Sequence, residues 1–151
     1  MNASLSVWKT GRESIARLVG RYSAAQLNHI PPGFSNNVAW NLGHLIVVQQ
    51  SLVYRLSGLE MKIPAPLYEV YKPGTRPGDA LPDGDLEELR HLLLSTVETT
   101  LADYEAGAFS SFKPLTTSRG FHLESLDEAL AFNNFHEGLH TGTIMDLVKF
   151  L

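Results

Sequence analysis

His136-Glu137-Gly138-Leu139-His140 places two imidazoles four residues apart. On a helix that spacing puts both side chains on one face, one turn apart, where they can reach a single divalent metal ion. With Glu137 directly after the first histidine, the same residues read H-E-x-x-H, the zinc-protease signature in which the glutamate is the general base. These two readings differ in where a third ligand comes from. A third reading, in which neither histidine meets a metal, stands beside them.

The elements that must position these residues show helical periodicity throughout. Leu5, Trp8, Ile15, Leu18, Val19 and Tyr22 recur at three- and four-residue steps, with Ser4 placed to cap the start. The prolines of His29-Ile30-Pro31-Pro32-Gly33 stop this first helix. A second is expected over 36–57, with a stripe of Val38, Leu42, Leu45, Ile46, Val53 and Leu56 before Gly58. A third is expected over 85–106, where Asp85 and Glu88 resemble a capping box. Its stripe is Leu86, Leu89, Leu93, Val97, Leu101 and Tyr104. The fourth opens on the capping box of Ser125 and Glu128 and continues to the last residue.

Residues 59–84 carry prolines 64, 66, 73, 77 and 82 and no repeating apolar period. A helix of ~22 residues is about 33 Å long, so a connection returning to its far end must be long. Such a crossover lets the second and third helices lie parallel. The expected fold is an all-α four-helix bundle with a long crossover between helices 2 and 3, a single domain over residues 1–151.

The inward stripe of the fourth helix reads Leu126, Leu130, Asn133, His136 or Glu137, His140, Thr143 or Ile144, and Leu147. Its middle is polar where a purely structural bundle would place leucine. Buried polar clusters cost free energy unless they are fully hydrogen-bonded or hold an ion, so this stretch has the character of a site. The second helix lapses in the same way. Asn37, Trp40, Asn41, His44 and Val48 share a face beside its apolar stripe, which turns His44 inward near mid-bundle. One histidine from helix 2 and a pair from helix 4 make three converging imidazoles. Three protein ligands with an open position is the layout of a catalytic zinc site, and neutral imidazole also suits nickel, copper or iron. His29 in a proline-rich break and His91 on a polar face read as ordinary residues. His122 precedes helix 4, where it could border a pocket mouth.

Composition narrows the classes. The formal net charge is −4, with no block of Lys or Arg, so nothing would neutralise a run of phosphates and nucleic-acid binding is not expected. No apolar run approaches ~20 residues, so no membrane span is expected. The first residues show no basic and apolar leader, and a soluble cytoplasmic protein is the expectation. The absence of cysteine excludes disulfides, thiolate nucleophiles and Cys-ligated zinc.

Asn41-Leu42-Gly43-His44, Lys72-Pro73-Gly74-Thr75-Arg76-Pro77 and His136-Glu137-Gly138-Leu139-His140-Thr141-Gly142 together resemble the DinB-like superfamily. The resemblance covers nearly the whole chain in helix number, motif order and loop placement. Its motifs are individually short, and their joint order carries the likeness. It implies a metal-binding four-helix bundle, with His44, His136 and His140 as metal ligands and a homodimer as a common state. The superfamily includes bacillithiol- and mycothiol-dependent S-transferases and many members described as metal-dependent hydrolases, so the resemblance carries no single reaction.

The peptidase reading fares poorly on the same residues. Zincins need a ligand downstream of the motif, and after His140 there is neither Glu nor His. Thr143 stands where one zincin class places glycine, and no strand pattern is available to bind a peptide edge-on. The expectation is therefore a metal-dependent enzyme acting on a small molecule through a divalent ion, zinc or nickel first. It would be a hydrolase working through water acidified toward a pKa of ~7, or a transferase taking a low-molecular-weight thiol as partner. Glu137 is its candidate catalytic residue, as a base or a group supporting the ligands. Tyr71, Lys72 and Arg76 are weaker candidates for facing an anionic substrate. The competing expectation is a metal-stabilised or metal-free binding module without turnover.

Overall fold

The computed structural model describes residues 2–151. Helix α1 (Ala3–Val19) is capped by Asn2, whose side chain accepts from the Ser4 amide at 2.8 Å. The cap is thus two residues earlier than Ser4, because an N-cap oxygen must reach back to an amide ahead of it. The helix ends at Gly20, short of the expected Tyr22, and one further turn, α2 (Ala24–Asn28), is closed by a Ser23–Gln26 capping box. Helix α3 (Val38–Gln50) starts from an Asn37 cap and continues through a π-turn at Ser51–Arg55. All thirteen residues of Val38–Gln50 are buried. A helix covered on every side needs apolar residues all round, and its polar exceptions then require partners.

The connection over 59–84 is not structureless. It contains α4 (Ala65–Tyr71), with Pro64 and Pro66 at its start, and this helix covers α3. Helix α5 (Asp83–Glu105) begins before the expected capping box, with Pro82 at the cap position and no side-chain cap. Asp83 and Asp85 instead lie in its first turn, where carboxylates complement the positive end of the helix dipole. A short antiparallel pair follows, β1 (Leu115–Thr116) with β2 (His122–Leu123), which the sequence pattern did not indicate. Helix α6 (Leu126–Leu147) is capped by Ser125, which accepts from the Glu128 amide at 3.3 Å. Only this half of its box forms, because the Glu128 carboxylate accepts from Glu124 N rather than Ser125 N. A 3₁₀ turn, Val148–Phe150, finishes the chain.

The four long helices pack so that α1 and α3 each contact both α5 and α6. Gln49 bonds Thr100 and Tyr54 bonds Asp103, so α3 and α5 run parallel, as the long connection permits. Asn134 bonds the Ser4 carbonyl and Glu137 bonds Trp8, so α1 and α6 are also parallel. Neighbours across the other two interfaces are antiparallel: Asn41 of α3 meets His140 of α6, while Asn2 and Tyr22 of α1 meet Tyr104 and Arg90 of α5. Apolar packing concentrates toward the two ends. Val19, Val38, Leu89 and Leu147 belong to a cluster at one end, Leu5, Trp8, Tyr54 and Val97 to one at the other, and Val48, Leu52, Leu123 and Ala129 to a third. The level between them holds buried Arg12, Asn41, His44, Asn133 and Glu137. Among the described residues no helix is long and apolar enough to cross a membrane.

Candidate metal centre

The structure brings His44 of α3 together with His136 and His140 of α6. One ring nitrogen of each lies within 4.8 Å of those of the other two, a group that could hold a metal ion. Ring centroids are 5.2 Å apart for His44 and His136, 4.7 Å for His44 and His140, and 4.5 Å for His136 and His140. His44 is buried, whereas His136 and His140 are partly exposed, so the cluster opens toward solvent along α6.

Two of the three rings are held in a defined tautomer. His44 Nδ1 lies 2.8 Å from the Tyr71 carbonyl, and because a carbonyl only accepts, Nδ1 carries the hydrogen. His140 Nδ1 lies 2.7 Å from Asn41 Oδ1. The Asn41 amide nitrogen donates to the Asn37 carbonyl and to Asn36 Oδ1, which leaves Oδ1 to accept from His140. Both rings therefore present Nε2 with a free lone pair, the form a metal requires. The Trp40 ring stacks on His44 at 4.6 Å and 15°, and its Nε1 donates to Thr75 of the long connection.

The approach of Tyr71 depends on a missing side chain. A Cβ at Gly43 would lie 2.5 Å from the Tyr71 ring, so α4 reaches α3 only because residue 43 is glycine. Asn41-Leu42-Gly43-His44 thus supplies a ligand candidate, the group that orients His140, and the gap that admits the group orienting His44.

Burial keeps the cluster uncharged. It lowers the pKa of His136 to about 3, reinforced by the neighbouring rings of His140 and His44, which disfavour a shared protonation, and by the positive charges of Arg12 and Arg119. His140 falls to about 4 through burial, then through His44 and Arg119. His44 is lowered by burial, partly offset by its bond to the Tyr71 carbonyl. Three neutral imidazoles at neutral pH match the needs of a divalent metal ion.

Glu137, between the two α6 histidines, turns to the opposite partner. Its Oε1 accepts from Arg12 Nη2 at 2.6 Å and from Trp8 Nε1 at 3.1 Å, and its Oε2 from Arg12 Nε at 2.7 Å. Arg12 is fully buried and also donates to the carbonyls of Leu45 and Leu93. One guanidinium therefore ties α1 to α3, α5 and α6. Sequence reasoning passed over Arg12. The available signal was a charge between Trp8 and Ile15, four residues from one and three from the other on the inward face of α1.

The remaining candidates lie apart from the cluster or serve its frame. His29 and His91 are exposed, and exposed His122 bonds Thr116 and sits 3.2 Å from Glu124. Lys72 is paired with Glu69, Arg76 is exposed, and the Tyr71 ring is buried. No curated protein matches the chain. The sequence model of the DinB superfamily matches residues 8–144, a span that takes in all three clustered histidines together with Arg12 and Glu137, and the chain belongs to the DinB superfamily.

Proposed function

We propose that the protein is a metal-dependent enzyme acting on a small molecule, with a divalent ion held by His44, His136 and His140. The observation that carries this reading is the pinning of His44 and His140 as Nδ1–H donors, which aims two free Nε2 atoms into one cluster. When bound, an ion on three uncharged ligands supplies Lewis acidity, able to polarise a substrate oxygen or to lower the pKa of water or a small thiol. Hydrolase and thiol-dependent transferase chemistry both fit that donor set. Zinc and nickel are the ions of choice, since no thiolate is present to select a softer one.

The chain's own residues supply position. Tyr71 and Asn41 hold the rings, Trp40 shields one face of His44, and the partial exposure of His136 and His140 leaves a route for substrate. That exposure favours turnover over a metal sealed in the core purely for stability. The place of Glu137 supports an anchoring role, because acting as base would require it to leave Arg12. The contacts of α1, α3, α5 and α6 support a four-helix bundle with one crossover. Exposed Phe135 and Leu139, one turn apart on α6, support a homodimer formed through that face.

The test is elemental analysis of protein purified without an affinity tag. About one zinc- or nickel-class ion per chain is expected, lost in His44→Ala and His140→Ala and kept in His91→Ala. A metal-free wild-type protein under replete conditions would sink the reading.

A further inference from the structure

Two of the clustered histidines have a partner at Nδ1, and the third does not. His136 Nδ1 is buried without a hydrogen-bond partner. On the same helix, three residues earlier, both polar atoms of the Asn133 side chain are buried without partners, and the residue is 1 % exposed. Residues three apart on a helix are neighbours, with Cβ atoms roughly 5–6 Å apart. Three unmatched polar atoms thus lie within one turn of α6. Leaving a buried donor or acceptor unmatched costs stability, so such a concentration calls for a shared partner. Two side chains at this spacing can be bridged by one water, which typically makes about three hydrogen bonds to buried polar groups.

We infer that Asn133 is the positioning residue of His136, acting through one buried water that bridges its amide to His136 Nδ1. The water accepts from His136 Nδ1–H and donates to Asn133 Oδ1. His136 is thereby fixed in the same tautomer as His44 and His140, with Nε2 left to face the cluster. All three rings are then held through Nδ1, each by a different oxygen: a main-chain carbonyl, a side-chain amide, and a water held by a second amide. A leucine at 133 would remove both polar atoms. The sequence retains asparagine there although Ala129 and Leu130, one turn earlier, are buried and apolar.

The functional meaning of this assignment rests on the metal reading, but the hydrogen-bond assignment does not, and the test separates them. Aromatic 1H–15N correlation spectra of the metal-free protein at pH 7, with the His136 signals identified by His136→Gln, report the tautomer directly. The Nδ1–H form is expected at His136 in the wild type and in Asn133→Asp, which keeps the acceptor. A mixed or Nε2–H form is expected in Asn133→Leu. Zinc titrations should show a 10–100-fold weaker affinity for Asn133→Leu, the range typical when a ligand loses its hydrogen-bond partner. An Nε2–H ring at His136 in the wild type overturns the assignment, as does a tautomer unchanged by Asn133→Leu. The wild-type spectrum decides even if a variant fails to fold. Failure of zinc to bind the wild type would remove the metal reading and leave the tautomer result standing.

Discussion

Residues 136 and 137 are adjacent on α6, and the regions they belong to are built on opposite principles. Around Glu137 every charge is met. The carboxylate has Arg12 and Trp8, and Arg12 has two main-chain carbonyls besides. Around His136 the polar atoms are aimed but unspent: Nε2 of His44 and of His140 has no hydrogen-bond partner, and two of the rings are partly exposed. Both regions put polarity into the interior, which costs free energy unless it is paired. What separates a structural cluster from a candidate site is whether lone pairs are left over once the internal bonds are counted.

Removing one partner of the sealed pair should have the largest effect. Arg12→Met strands a buried carboxylate, and the expected loss is about 3–5 kcal/mol in chemical unfolding. Arg12→Met combined with Glu137→Leu should recover most of it, since a matched apolar pair carries no orphan charge. A single variant as stable as the wild type would erase the contrast between the regions.

Acid should act on the open cluster. Its imidazoles are neutral in the fold, with His140 and His136 lowered to about 4 and about 3, while unfolded histidines titrate near 6.5. Unfolding therefore takes up protons below pH ~6.5, and stability of the metal-free protein falls as pH drops through that value toward 4 and 3. Unfolding midpoints between pH 7 and 5 measure this. His136→Leu with His140→Leu should flatten the slope, and an equal slope would show that the cluster is not its source.

Gly43→Ala sharpens the contrast from the side of α4. A methyl group against the Tyr71 ring displaces the carbonyl that holds His44, with about 1–3 kcal/mol of overpacking. Zinc affinity should fall 10–100-fold, as for other lost ligand partners. Calorimetric titration with unchanged affinity would deny Tyr71 its orienting role. His136→Leu should move least in the metal-free protein, within about 1.5 kcal/mol as a near volume-conserving change. Its metal-dependent gain in melting temperature should nonetheless vanish. A retained gain would take His136 out of the ligand set.

Much of this contrast was legible in the chain. The long helices announce themselves because their apolar positions recur with helical period over many turns, and the polar lapses at Asn41, His44, Asn133, His136 and His140 stand out against that background. Helix α4 was hidden because seven residues flanked by prolines have no period long enough to read. It is held instead by the Tyr71–Gly43 contact, which only the folded structure supplies. The two-residue strands carry still less pattern. Arg12 was hidden for another reason. A single arginine among apolar residues reads as surface, and its burial follows from a glutamate 125 positions away. The same pairing gives Glu137 a partner that the H-E-x-x-H spacing could not indicate.

The order in which the helices pack also bears on how the chain acquires its structure. Of the long helices consecutive in sequence, α1 with α3 and α5 with α6 do not form principal interfaces; these join α1 to α5 and α6 and α3 to α5 and α6, and α3 reaches α5 as a parallel neighbour after the long crossover. Consecutive long helices form no antiparallel hairpin, so the main interfaces close over long loops and folding should be slower than in a bundle of consecutive antiparallel pairs. During synthesis α1 emerges before α5 and α6, its two partners. The guanidinium of Arg12 meets its carboxylate partner only once Glu137 has been made, and the sealing of the interior is therefore deferred until α6 is present.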